Sequence, residues 1–218
     1  MAMTDGTKPV RVVAVTQSDP FFTARFFEAF LGETASDRLE LVEIVLLRDF
    51  NESKPALVRL SSINDASYLR TLAARDVDVL LSVAAPEIFR RPALTAVPYV
   101  LNVHSGKLPE YRGMMPTFWA LQNGDARIVV TLHEMIERLD AGRLIAEFPM
   151  DVEVADSAFA VAARAKTVAG REVARLLAAI GTPHWPEPRP IPATREQYHG
   201  FPTRRDARRL QARGRRLL

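Results

Sequence analysis

Four short apolar runs constrain this chain more than anything else in it: "VRVVAVT" at 10–16, "LELVEIVLL" at 39–47, "VDVLLSV" at 77–83 and "YVLNVH" at 99–104. Each has strand length, is rich in Val and Leu, and reads as a buried strand. Helical stretches separate the first three. "FFTARFFEAFL" follows the first run, with Asp19 as candidate N-cap, Pro20 suited to the first turn and Gly32 as the stop. A second helix is expected around 64–75. Strand–helix–strand–helix–strand predicts a parallel sheet with crossover helices, an α/β fold.

Beyond the fourth run the spacing predicts a helix over 116–124 ended by Asn-Gly, then strands over 127–135 and 143–152. "LDAG" between these two strands reads as a tight connection, so they can pair antiparallel. A long amphipathic helix is expected from about Ser157 to Ile180, capped by Asp156 and stopped by Gly181. "PHWPEPRPIP" (183–192) should be extended. Thr203 and Asp206 form a capping box that opens a final short helix. Residues 1–182 thus read as one domain, and 183–218 as a Pro-rich and Arg-rich extension rather than a second domain.

The 218 residues contain no cysteine, which excludes disulfides, thiolate metal sites and cysteine nucleophiles. No metal site is expected. No apolar run approaches the roughly 18 residues of a membrane span, and "MAMTDGTKPV" carries no apolar signal segment, so a cytoplasmic protein without membrane contact is expected. The net charge of +3 hides an asymmetry: residues 189–218 hold nine Arg against Glu196 and Asp206, which is +7, leaving −4 for the rest. Such a tail can bind phosphate, or be a solvated face or a subunit contact, so a homodimer stays open.

"LNVHSGKLPEYRG" carries the chemistry. Side chains alternate along a strand, so Asn102 and His104 share a side. They sit at the carboxyl end of a strand, where open parallel sheets bind ligands. Gly106, Pro109 and Gly113 then shape a loop over that end. Asp140 follows another strand, with the small Ala141 and Gly142 leaving room for a ligand. Asn, His and Asp without Ser or Cys make a site that supplies no nucleophile of its own. It suits a carbonyl attacked by an external amine or water: Asn102 and His104 would stabilise the oxyanion, while Asp140 would keep the imidazole charged and help take the amine's proton. Taken singly, each residue also has an ordinary structural reading, a satisfied strand histidine or a turn aspartate.

The ordered set Asn102-x-His104, Leu108-Pro109-x-Tyr111-Arg112-Gly113, Thr131-x-His133 and Asp140-x-Gly142 resembles the folate-dependent formyltransferase family. The resemblance is specific over about 40 residues and weaker over the first 150 or so. It implies a Rossmann-like, mostly parallel sheet with flanking helices and an antiparallel strand near the C-terminal part. It also implies 10-formyltetrahydrofolate as formyl donor and Asn102, His104 and Asp140 as catalytic residues. In the family, segments equivalent to 84–89 and 136–142 hold the donor, which makes Pro86, Glu87, Ile88 and Arg138 the candidate donor-binding residues. Lys107, Tyr111 and Arg112 are the candidate acceptor-binding residues. The chain departs from the family pattern in having Gly106-Lys107 where Ser-Leu is usual before Leu-Pro, with Ser105 one place earlier, and Val129 in place of a Gly.

The acceptor follows by elimination among family members. "TQSDPF" lacks the Gly-rich loop of glycinamide ribonucleotide formyltransferase. Methionyl-tRNA formyltransferase adds a C-terminal barrel, and formyltetrahydrofolate deformylase an N-terminal regulatory domain, and neither is recognised here. The tail lacks the aromatic interleaving of a nucleic-acid platform, so no nucleic-acid partner is expected. The expected reaction is N-formylation of a small amine, an amino sugar attached to a nucleotide being the foremost candidate. Hydrolysis of the donor, or folate binding without turnover, is the alternative.

Overall fold

The computed structural model describes residues 8–17, 19, 21–33, 37–47, 57–192 and 197–218; Pro20 and Glu196 lie outside this set. In chain order the elements are β1 (Val10–Thr16), α1 (Phe22–Glu33), β2 (Leu39–Leu47), β3 (Leu57–Leu60), α2 (Ala66–Ala74), β4 (Val79–Val83), α3 (Arg91–Leu94), β5 (Tyr99–His104), β6 (Arg112–Gly113) and α4 (Pro116–Asn123). There follow β7 (Arg127–Glu134), β8 (Leu144–Asp151), α5 (Ala158–Leu177), β9 (Tyr198–His199) and α6 (Arg204–Ala212).

Seven strands form one sheet in the order β3-β2-β1-β4-β5-β7-β8. The first five are parallel, and β7 pairs antiparallel with both β5 and β8. The sheet is therefore mostly parallel with its antiparallel part at the C-terminal strands, as expected. The chain moves outward from β1 to β3, then returns to the other side of β1 with β4. In open α/β sheets such a reversal marks where ligands bind, beyond the carboxyl ends of the strands. Helices cover both faces: Phe26 and Phe30 of α1, Phe118 of α4, Val161 to Leu177 of α5 and Leu210 of α6 bury one side. Tyr68, Leu69 and Leu72 of α2 and Ala93 of α3 bury the other.

The helix ends follow local chemistry. Asp19 accepts from the backbone N–H of Phe21 and Phe22 (2.9 and 3.1 Å) and so caps α1, which runs one residue past Gly32. The N-cap of α5 is Ser157, which accepts from Ala160 N (3.1 Å), and not Asp156 as expected. Asp156 stands one residue too early, and its carboxylate is taken by the Arg164 guanidinium through bonds of 2.8 and 2.6 Å. The capping box of Thr203 and Asp206 forms as expected. "PHWPEPRPIP" starts in a turn; further on, Arg189 exchanges two backbone hydrogen bonds with Leu144 of β8 (2.7 and 2.9 Å). Leu210 is fully buried, and the guanidiniums of Arg213, Arg215 and Arg216 donate to backbone carbonyls of Asn123, Glu153 and Ala155. Three of the tail's arginines thus fasten it to the body.

Candidate active site

The register of β5 and β7 assembles the site. Asn102 lies opposite His133 and His104 opposite Thr131, so an Asn-x-His and a Thr-x-His face the same side of the sheet as cross-strand pairs. Thr131 is fully buried and donates to the Gly106 carbonyl at 2.8 Å, fixing the start of the loop after β5. An added Cβ at Gly106 would stand 2.4 Å from Pro116 Cβ and 3.2 Å from His104 Nε2, so no larger residue fits there. Thr117 of α4 ties the same loop by donating to Ser105 O at 2.9 Å.

Asp140 comes in from the connection between β7 and β8, which runs over 135–143. Its backbone takes φ +49°, a left-handed conformation that costs a non-glycine residue energy and is tolerated where the surroundings enforce it. Gly142 serves that backbone path: a Cβ there would lie 1.9 Å from Glu134 O. Its smallness therefore lets the chain pass close to β7, where the sequence reading assigned it to ligand space. Asp140 is buried, its Oδ2 accepts from Gly113 N at 2.8 Å, and its Oδ1 stands 3.8 Å from His104 Nδ1 and 3.7 Å from His133 Nε2. The Arg112 guanidinium donates to Leu139 O and so joins the loop after β5 to the Asp140 connection.

Both tautomers follow from carbonyl partners, which only accept. His104 Nε2 lies 2.6 Å from Tyr111 O and therefore carries a hydrogen, leaving Nδ1 turned toward Asp140. His133 Nδ1 lies 2.7 Å from Glu134 O, so its Nε2 is bare and accepts from Asn102 Nδ2 at 3.0 Å. Burial lowers the His104 pKa, and the opposing pull of Asp140 does not restore it. His133 is pushed down to about 4 by burial and by His104 beside it. The expectation that Asp140 keeps His104 charged is thereby corrected: at neutral pH both imidazoles are neutral, because loss of hydration outweighs one carboxylate almost 4 Å away. The site presents an Asn amide with one N–H unspent and an imidazole ready to accept a proton beside a carboxylate.

The other residues predicted from sequence fall in different surroundings. Glu87 turns its carboxylate to Ser62, Ile63 and Asn64 (2.5–2.8 Å) and staples that loop. Ile88 is 68% exposed, Pro86 half-buried and Arg138 exposed near Arg112. Tyr111 is buried, with its hydroxyl donating to Asp125 at 2.7 Å. Lys107 pairs with Glu110 at 2.8 Å and lines a cavity of about 330 Å³ with Leu144, Glu147 and Arg189. Sequence reasoning missed Lys166 of α5, whose amine burial pushes down to about 8 and whose charge reaches His104. It sits inside an ordinary amphipathic helix with no local mark. Among the described residues no His, Asp and Glu cluster is placed to hold a metal ion, and no helix is long and apolar enough to cross a membrane.

Residues 33–177 match the model of the formyl transferase family. Over 99 residues the chain is 34% identical to methionyl-tRNA formyltransferase of Streptococcus suis, a stretch that makes up 45% of this chain and 31% of that protein. The match thus spans about a third of the curated relative's length. Among solved structures, a sugar N-formyltransferase from a Shewanella species superposes with a TM-score of 0.65 at 16% identity, covering 92% of this chain and 86% of that one. An N-formyltransferase from Helicobacter canadensis, in complex with folinic acid and dTDP-3-aminofucose, superposes with a TM-score of 0.62 at 13% identity, covering 91% and 72%.

Proposed function

The chain belongs to the formyl transferase family, and on that footing we propose that it transfers a formyl group from 10-formyltetrahydrofolate to the amine of a small acceptor, foremost a nucleotide-linked amino sugar. The observation that carries this reading is the linked set in which Asn102 bonds to His133 and the Asp140 carboxylate stands 3.7 Å from His133 and 3.8 Å from His104. A cytoplasmic reaction belongs to the same proposal.

The chain's residues fit such a donor. Ile88, Ile136 and Leu139 are exposed apolar side chains on the two segments beside the triad, and offer walls for a flat ring. Ala84, at the carboxyl end of β4, takes φ +53°, a strained backbone position next to that wall. When bound, the donor supplies the formyl carbon that the amine attacks.

The unspent N–H of Asn102 donates to the formyl oxygen as it gains charge. His104 Nδ1 takes a proton from the attacking amine, and Asp140 stabilises the imidazolium so formed. His104 then returns that proton to the departing folate nitrogen. One C–N bond forms to the acceptor, one C–N bond breaks to the donor, and the proton moves between the two nitrogens through His104. Acceptor phosphates would meet the exposed cations of the loop and tail. Incubation with 10-formyltetrahydrofolate and a panel of amines, headed by nucleotide-linked amino sugars and amino acids, tests the reading by mass spectrometry. A formyl gain on one amine supports it; unmodified amines throughout would reject it.

A further inference from the structure

The tail reaches the site from outside the region that matches the family. The match ends at residue 177, yet β9 (Tyr198–His199) pairs with β6 (Arg112–Gly113) in the loop that covers the triad. The pairing is well bonded: Arg112 N donates to Gln197 O (3.1 Å) and Met114 N to His199 O (2.8 Å). Side chains alternate along even so short a strand. His199 turns inward and stacks between Tyr111 (centroids 5.7 Å) and Trp119 (4.9 Å). Tyr198 turns outward and is 63% exposed.

Gly113 shows how close Tyr198 stands to the site. Its backbone has φ +95°, and an added Cβ would lie 3.1 Å from Tyr198 Cε2 and 2.3 Å from His199 O. The N–H of the same Gly113 donates to Asp140 Oδ2 at 2.8 Å. A single glycine therefore separates the Tyr198 ring from the carboxylate. Tyr198 is also near enough to Arg112 to act on its charge. Met114 and Met115, at 38% and 44% exposure, continue the apolar rim.

We propose that Tyr198 is an acceptor-binding residue: the apolar face of the acceptor's ring lies against the Tyr198 ring, which holds its amine over His104 and Asp140. This rests on the formyl-transfer reading above. The assignment to the acceptor follows from where the residue comes from. Tyr198 lies outside residues 33–177, the stretch that matches the family model, whereas Ile88, Ile136 and Leu139, the walls assigned to the donor, lie inside it, and it is the acceptor that distinguishes the methionyl-tRNA and sugar enzymes matched here. A tyrosine ring offers large, rigid contact area at low entropic cost.

Steady-state kinetics of the full chain test this, with 10-formyltetrahydrofolate as donor and the amine of the panel that turns over fastest. Tyr198→Ala should raise the acceptor KM about threefold to tenfold, with kcat, donor KM and melting temperature close to wild type. Tyr198→Phe keeps the ring and should restore the acceptor KM. An unchanged acceptor KM in Tyr198→Ala, or a rise confined to the donor KM, would overturn the proposal while leaving formyl transfer standing. If no amine turns over, the formyl-transfer reading fails and the proposal fails with it.

Discussion

Asn102 is held by His133 through a hydrogen bond of 3.0 Å whose direction is decided on the far side of the ring. The Glu134 carbonyl, 2.7 Å from His133 Nδ1, claims the imidazole hydrogen, so Nε2 can only accept and the Asn102 amide must turn its NH₂ inward. The amide thereby keeps one N–H for a ligand, in an orientation that a lone asparagine could not hold.

Acid should break this arrangement. An unfolded His has a pKa of about 6.5, while His133 in the fold is pushed down to about 4 and His104 is lowered too. Between those values the unfolded chain binds more protons than the folded one, so stability should fall as pH drops through about 6.5 toward 4. Urea midpoints measured across that range should decline, and His133→Gln should make the decline shallower. A flat profile in wild type would contradict the assignment of a neutral, buried His133.

Asn102→Ala should leave the fold and donor affinity close to wild type and lower kcat by roughly 10²–10³, the usual cost of one oxyanion donor. Single-turnover rates at saturating donor measure this directly. Near-wild-type turnover would remove Asn102 from the chemistry.

Gly106→Ala should cost both stability and turnover, because the new methyl meets Pro116 Cβ and crowds His104 Nε2. Overpacking of this kind typically costs about 1–3 kcal/mol. The His104 ring should lose its bond to Tyr111 O, visible as a shift of its imidazole NMR signals. An unshifted spectrum with wild-type kcat would mean that the loop has more slack than the structure shows.

The tail divides into fasteners and free surface. Leu210, fully buried, is the buried residue of α6, and Leu210→Ala should cost about 2–5 kcal/mol and loosen the strand that carries Tyr198. Arg204→Gln with Arg205→Gln and Arg208→Gln changes exposed side chains and should stay within about 0.5 kcal/mol of wild type for each substitution. Chemical denaturation separates the two. The arginine variants should also flatten the salt dependence of the acceptor KM if its phosphates use them.

Legibility in the sequence followed the range of each signal. The runs at 10–16, 39–47 and 99–104 give the strands because buried parallel strands are continuous in apolar residues. The i, i+2 spacing placed Asn102 and His104 on one side for the same reason. Pairing between strands is not local, so nothing near Thr131 or His133 in the chain announced that they face His104 and Asn102; only resemblance drew attention to them. The charge of His104 was misjudged because a neighbouring carboxylate is visible in sequence and burial is not. Gly142 was read as ligand space because the approach of Glu134 O is a tertiary fact. The four residues of β3 and the two of β9 are too short to carry a period, and the shortness of β9 hid the contact between the tail and the site.

The central claim is that this site moves a formyl group to an amine with Asp140 supporting the proton transfer. The most direct test is the release of tetrahydrofolate from 10-formyltetrahydrofolate, followed with and without amine, in wild type and in Asp140→Asn. Asp140→Asn removes the charge that raises the His104 pKa, so a base that already titrates low becomes weaker still. Wild type should release tetrahydrofolate only when an accepting amine is present, and Asp140→Asn should bind the donor yet release almost none. Release without amine would make the protein a hydrolase, and undiminished release by Asp140→Asn would take the carboxylate out of the reaction.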